Sequence, residues 1–348
     1  MNDIAERLGR SPELFPLALN LPSDSVAFIH LNKSDYERAS FLDARLLTPQ
    51  TSCRALPWSQ VAAAINEAQL IERCGFIFHI GHVGSTLLSR LMGAHAGVFS
   101  LREPALLRTF AQLSGESEAQ PHQWNDSDFD ARLTGCLKLL SRTFETRRLP
   151  LVKATSFVSE IATSLVSRAS TPKAVMLFVS PESYMATILG GPNSRQEAKV
   201  LAPSRLRRLH RYIGAEAWQL PLLSEGEVLA LSWACEMSAL ARATISGGGR
   251  ILRVNFDQFL ANPGPLLSAV LCHFDIEATA NEVRAIIEGP DMRRYSKAPE
   301  HAYDAALRRD VLDTARALHG AEIRRGLAWL DRAAEQYPAV RQAATYAR

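Results

Sequence analysis

Gly81-His82-Val83-Gly84-Ser85-Thr86-Leu87 is the segment whose residue types and order point most directly to chemistry. A short apolar run at 76–80 comes just before it, and an amphipathic run through Met92 follows at once. The order is strand, glycine turn, helix start. Glycine at 81 and 84 lets the backbone approach an anion and take a positive φ. Ser85 and Thr86 offer amide and hydroxyl donors at the positive end of a helix dipole, so a phosphate or sulfate is the natural occupant. The same string also reads as a plain turn in which Ser85 or Thr86 caps the helix. A triphosphate-binding turn, GxxxxGK[ST], would carry Lys after its last glycine, and none follows Gly84. That argues against ATP or GTP as a donor of its terminal phosphate and for a less charged nucleotide end.

Such a turn must sit at the edge of a sheet. Apolar, partly β-branched runs at 26–31, 76–80, 149–154, 175–179 and 251–255 predict buried strands. Between them, 58–72, 85–94, 128–146, 157–167, 204–213 and 227–244 have helical period. The alternation predicts an α/β fold: three αβα layers around a central, mostly parallel sheet of about five strands. From 263 onward the pattern is helical, at 265–273, 280–288, 305–319 and 322–336, and this region is expected to pack on the sheet or cap the site. Clusters of Pro, Gly and Ser at 190–194 and 247–249 are too short for interdomain linkers. A single domain over 1–348 is expected, with an N-terminal extension at 1–73, a nucleotide-binding core at 74–275 and a helical region at 276–348. Polar residues 115–128 read as a mobile surface loop.

Composition bounds the partners. The 348 residues carry 39 Lys plus Arg against 36 Asp plus Glu, a net +3 that lacks the basic excess of a dedicated nucleic-acid binder. Any anion site must therefore be local. Five cysteines without a CxxC pair predict no zinc site and no disulfide framework, which fits a reducing compartment, and no metal is expected. The N-terminal residues lack an apolar signal core, and no run of about 18 uninterrupted apolar residues occurs, so a cytoplasmic protein without a membrane span is expected.

Beyond the turn, the sequence resembles the family of sulfotransferases that use 3′-phosphoadenosine 5′-phosphosulfate (PAPS). In that family a turn of the type [KR]-x-G-[ST]-[ST] holds the 5′-phosphosulfate. HVGSTLLSRLMGAHAGVFSLREP is similar to the family's first block, AVMLFVSPESYMAT to its RDPRDxxxS block, and LRVNFDQFLANPGPLLSAVLCHF to its VRYEDLxxxPxxxLxxLxxFL block. The three cover much of residues 74–275. Bacterial members also have a FLDxR-type segment before the turn, here Phe41-Leu42-Asp43-Ala44-Arg45, and a YSKAPE-type segment after it, here 295–300. The resemblance implies a P-loop NTPase-like fold and PAPS as donor, with PAP as its product. It also implies in-line sulfuryl transfer to a hydroxyl or amine of a small-molecule, glycan or peptide acceptor.

Two positions depart from the family's pattern. His82 stands where the family has Lys or Arg, and it carries charge only when protonated. Val179 stands in place of the Arg that would bind the 3′-phosphate, leaving Ser180 and Thr187 as the polar remnants of that block. Lys153, or Arg293, Arg294 or Lys297 of the late loop, would then supply the cation. Glu103 matches the acid used as general base in the protein-tyrosine branch, and it also reads as a carboxylate favouring a helix N-terminus. Neutral His82 is the competing base. Arg90 and Arg102 read either as anion contacts or as partners of carboxylates, His79 as a core residue, and the run 205–211 as a solvated basic face. Two other functions fit the same string: a non-catalytic nucleotide-binding relative, and a P-loop kinase or NTPase.

Overall fold

The computed structural model describes residues 6–9, 11–116, 124–298 and 300–347. Near the N-terminus, β1 (Leu14–Asn20), β2 (Ser25–His30) and β3 (Cys53–Pro57) form an antiparallel sheet of their own. Here the structure corrects the expectation that 26–31 belongs to the parallel sheet. Only residues 21–24 separate β1 from β2, which is enough for a hairpin but not for the crossover that parallel neighbours require.

The main sheet contains β4 (Gly75–His79), β5 (Val98–Arg102), β6 (Leu149–Lys153), β7 (Ala174–Phe178) and β8 (Ile251–Asn255). All are parallel, in the order β5-β6-β4-β7-β8. The strand at 98–102 thus takes the place assigned to 26–31. Every residue of β4, β5 and β7 is buried, which explains why β4 and β7 read as largely apolar runs rather than alternations, whereas Ser100 and Arg102 interrupt the apolar pattern of β5. The chain leaves β4 toward β5 on one side, then returns from β6 past β4 to β7. The order therefore reverses around β4, and in open parallel sheets the crevice at such a reversal receives the ligand.

Helices Ser85–Gly93 and Pro263–His273 pack together on one side of the sheet. On the other lie the 3-10 turn Ser156–Ile161, the helix Ala162–Val166 and the long helix Glu225–Gly247. The span Glu225–Arg250 is long and apolar enough to cross a membrane, but its apolar part is 83% buried within the fold. The expected break between 319 and 322 is a kink at His319 (φ −119, ψ 17) inside Ala305–Gln336. The cluster at 190–194 is a helix start, because Pro192 opens the helix Pro192–Ile213 with its missing N–H in the first turn. Of the expected loop at 115–128, residues 117–123 lie outside the described residues, while 115–116 end the helix Ala105–Glu116 and 126–128 begin the helix Asp126–Leu140.

Candidate anion site at the end of strand β4

His79, the last residue of β4, shapes the turn that follows. Its Nδ1 accepts the Gly81 N–H at 3.0 Å and its Nε2 lies 2.8 Å from the Ala154 carbonyl. This pair of bonds assigns the proton to Nε2. Burial holds the imidazole pKa well below its usual value, so the ring is neutral. His79 is thus a core residue, as expected, that also fixes where Gly81 begins.

Gly81 (φ +89), His82 (φ +54) and Gly84 (φ +70) then turn the chain into Ser85–Gly93. A Cβ on Gly84 would lie 1.9 Å from the Phe256 ring, so no side chain fits there without displacing that ring. No side chain caps the helix. Ser85 and Thr86 do not play the capping role that the bland alternative gave them. The amides of Ser85, Thr86 and Leu87 find no acceptor among the described residues, although all three residues are buried. Thr86 Oγ1 is also buried and without a partner. Unpaired buried donors of this kind cost free energy unless a ligand or water meets them.

The turn opens into a cavity of about 230 Å³. His82 to Leu87, Thr187, Arg294 and Lys297 line it, with Phe256, Tyr295 and Tyr303 among its apolar walls. His82 Nε2 lies 3.4 Å from Glu197 Oε2, and its Nδ1 is 3.4 Å from Ser194 Oγ. The imidazole beside Glu197 pulls that carboxyl down to about 2, so Glu197 remains an anion facing His82.

Glu103 and Lys153 stand at the same edge of the sheet, one strand removed. Arg102 and Lys153 are paired in the β5–β6 register, which brings the two C-terminal ends together. Lys153 Nζ donates to Glu103 Oε1, and the Glu103 N–H donates to the Lys153 carbonyl at 2.7 Å. Lys153 is 1% exposed, and burial brings its pKa down to about 8 despite the carboxylate beside it. Glu103 has a positive φ of 53°, as His82 does, a sparsely populated conformation that recurs at functional sites. Neither Glu103 nor Lys153 lines the cavity.

Arg45 lies between the two places: Asp43 holds its guanidinium, with Nε 2.8 Å from Oδ1, and Glu103 and Glu197 add weaker attraction. Its guanidinium lies 3.3 Å from the Phe41 ring centroid, with Lys297 Nζ 5.8 Å from the same centroid. The segments at 41–45 and 295–300, far apart in sequence, thus meet at the mouth of the turn. Arg90 fastens them, donating to the Ser296 carbonyl at 2.9 Å and to Ser40 Oγ at 3.0 Å. Arg102 binds the carbonyls of Tyr36, Glu37 and Ala39. Both arginines hold backbone rather than an anion or a carboxylate.

The remaining candidates scatter. Ser180 caps the helix Pro181–Leu189 by accepting the Ser183 N–H, and Thr187 Oγ1 donates to the Ser183 carbonyl at 2.7 Å from within that helix. Arg293 is exposed in the 3-10 turn Pro290–Arg293, outside the cavity. The run 205–211 is not a uniformly solvated face, since Arg205 and Arg208 are buried at 4% and 2% exposure. The signal for them lay in another segment. Glu236 sits in the apolar stretch Leu231–Leu240 at 0% exposure, and a carboxylate there needs buried cations.

No protein-family model and no curated protein matches the chain. Among solved structures, it is similar to the sulfotransferase domain from the curacin biosynthetic pathway at 15% identity and TM-score 0.42, covering 71% of this chain and 98% of that one. The sulfotransferase domain of the Synechococcus PCC 7002 olefin synthase gives 15% and 0.36 over 70% and 94%. Sulfotransferase STF9 from Mycobacterium avium gives 11% and 0.37 over 91% and 96%. All three likenesses are remote in identity and in superposition.

Proposed function

We propose that the chain is a sulfotransferase that moves a sulfuryl group from PAPS to a hydroxyl or amine of a small-molecule, glycan or peptide acceptor. One observation carries this reading. The amides of three successive buried residues, Ser85, Thr86 and Leu87, and the Thr86 hydroxyl have no partner among the described residues, at a turn that has no lysine after Gly84. Donors so arranged suit a tetrahedral anion. Without the lysine, they suit a phosphosulfate better than the terminal phosphates of a triphosphate.

PAPS, when bound, would supply the sulfuryl group and leave as adenosine 3′,5′-bisphosphate. Residues 81–87 would grip its 5′ end. Phe256, Tyr295 and Tyr303 offer apolar contact for the base, and Thr187, Arg294 and Lys297 are among the polar groups of the cavity that could meet the 3′-phosphate. Transfer between oxygens in line demands positioning above all. For the acceptor proton we assign Glu103, which stands at the same edge of the sheet as the turn, though outside the cavity. Its Oε1 is engaged by Lys153, which leaves Oε2 to take a proton. His82 Nε2 and Nδ1 already lie 3.4 Å from Glu197 Oε2 and Ser194 Oγ, so both ring nitrogens have partners within the protein.

Calorimetry tests the donor. Adenosine 3′,5′-bisphosphate is expected to bind with one site per chain in the presence of EDTA, at least about tenfold more tightly than ATP with or without Mg²⁺. Tighter, Mg²⁺-dependent binding of ATP would instead mark a kinase or NTPase. Bisphosphate binding with no transfer of radiolabelled sulfate to any acceptor in a cell extract would mark a non-catalytic relative.

A further inference from the structure

The helix Pro192–Ile213 sets one face against residues 81 and 82 of the turn. Ser194 and Glu197 reach His82 from its first turns. Arg205, two further turns along the same face, has a terminal nitrogen 4.0 Å from where a Gly81 Cβ would stand, close beside Ser156. Its Nε donates to Glu236 Oε1 at 3.0 Å, and Arg208 and Ser159 hold the same carboxylate. The orientation of the guanidinium is therefore fixed. Its two terminal nitrogens have no acceptor among the described residues, although Arg205 is only 4% exposed.

The local charges allow an anion there. Glu236 is shared by Arg205 and Arg208, and Glu160 by Arg208 and the exposed Arg211, so three guanidinium groups meet two carboxylates and an anion at Arg205 would add no excess of negative charge. Nearby, the hydroxyls of Tyr184 and Thr155 are buried without partners. Burial pushes the Tyr184 phenol up to about 12, so it remains a donor.

We infer that Arg205 is the fixed cation of this turn, its terminal guanidinium nitrogens binding the anion that the amides of residues 85–87 cap. The inference rests on residues 81–87 being an anion cradle and deepens it. The charge absent after Gly84, which His82 supplies only when protonated, arrives from a different helix as a guanidinium that does not titrate.

The test compares adenosine 3′,5′-bisphosphate, adenosine 3′-phosphate and inorganic pyrophosphate as ligands of the wild type, Arg205→Lys, and the double variant Arg205→Met/Glu236→Gln, which leaves no unpaired buried carboxylate. In the double variant, affinity for the bisphosphate and for pyrophosphate should fall roughly 10- to 100-fold, the worth of a charge-assisted contact, while affinity for the 3′-phosphate stays the same. Arg205→Lys, which keeps the charge and loses the fork, should lose severalfold. Thermal unfolding without ligand reports whether each variant is folded. Unchanged affinity for the 5′-bearing ligand and for pyrophosphate in a folded variant overturns the inference. If the double variant does not fold, an unaltered Arg205→Lys overturns it instead. A wild type that binds pyrophosphate but neither adenosine ligand sinks the PAPS reading alone, and pyrophosphate still decides Arg205. A wild type that binds none of the three sinks both.

Discussion

Replacing Glu103 with Gln is expected to lower sulfate transfer by about 100- to 10,000-fold while leaving bisphosphate affinity within about twofold, the signature of a lost general base. The carboxylate has a second role that must be separated from the first. It is the counter-ion of Lys153, which is 1% exposed, and leaving a buried charge unpaired costs about 3 to 5 kcal/mol. Glu103→Gln alone should therefore also reduce stability. The double variant Glu103→Gln/Lys153→Met removes both charges and should recover most of that loss. If it recovers stability and stays inactive, Glu103 acts on the acceptor. If it recovers turnover as well, Glu103 is a counter-ion only, and the base must be sought at His82.

Titration of Lys153 gives an independent readout of the pair. Its pKa falls from 10.5 in the unfolded chain to about 8 in the fold, chiefly through burial, with Glu103 opposing the fall. Between those values the unfolded chain binds the proton more than the native one, so this group makes stability rise with pH across the interval. Without Glu103 the native pKa drops further. The rise should then begin at lower pH, visible in denaturant midpoints measured from pH 6 upward.

How much of this was legible in the sequence follows from where each interaction is encoded. The turn was readable because its parts are local: a buried strand, two glycines and a helix start within residues 75–93. The kink at His319 was readable for the same reason, as an interruption of one periodic run. The helix Ala105–Glu116 escaped, since a short apolar run next to a strand does not declare its period. β2 carries the signature of a buried strand, yet nothing in six residues says which sheet it joins. The site's charges are non-local in a stronger sense. Arg205 looks like any arginine on a basic helix until Glu236, 31 residues later, is placed against it. In sequence Lys153 looks like a cation available to a phosphate, and only the β5–β6 register puts Glu103 on its ammonium. The meeting of 41–45 with 295–300 is likewise a property of the folded edge, which motif matching can associate but not locate.

Gly84→Ala is the smallest change expected to close the site. The backbone there sits at φ +70, where a side chain costs about 1 to 2 kcal/mol. The new methyl would also lie 1.9 Å from the Phe256 ring, and forcing a ring of 5% exposure aside adds about 1 to 3 kcal/mol of overpacking. If instead the turn shifts, the amides of residues 85–87 leave their common focus, and 5′-phosphate affinity should fall at least about 100-fold for the loss of two or more such contacts. The double variant Gly84→Ala/Phe256→Ala separates the causes. Removing the ring relieves the collision but not the φ penalty, so a cycle of thermal and binding measurements should show a favourable coupling of about 1 kcal/mol or more between the two sites. Binding should return in part if collision is what closes the cradle. Full affinity in Gly84→Ala alone would mean that the anion does not depend on this turn, and the assignment of residues 81–87 would fall with it.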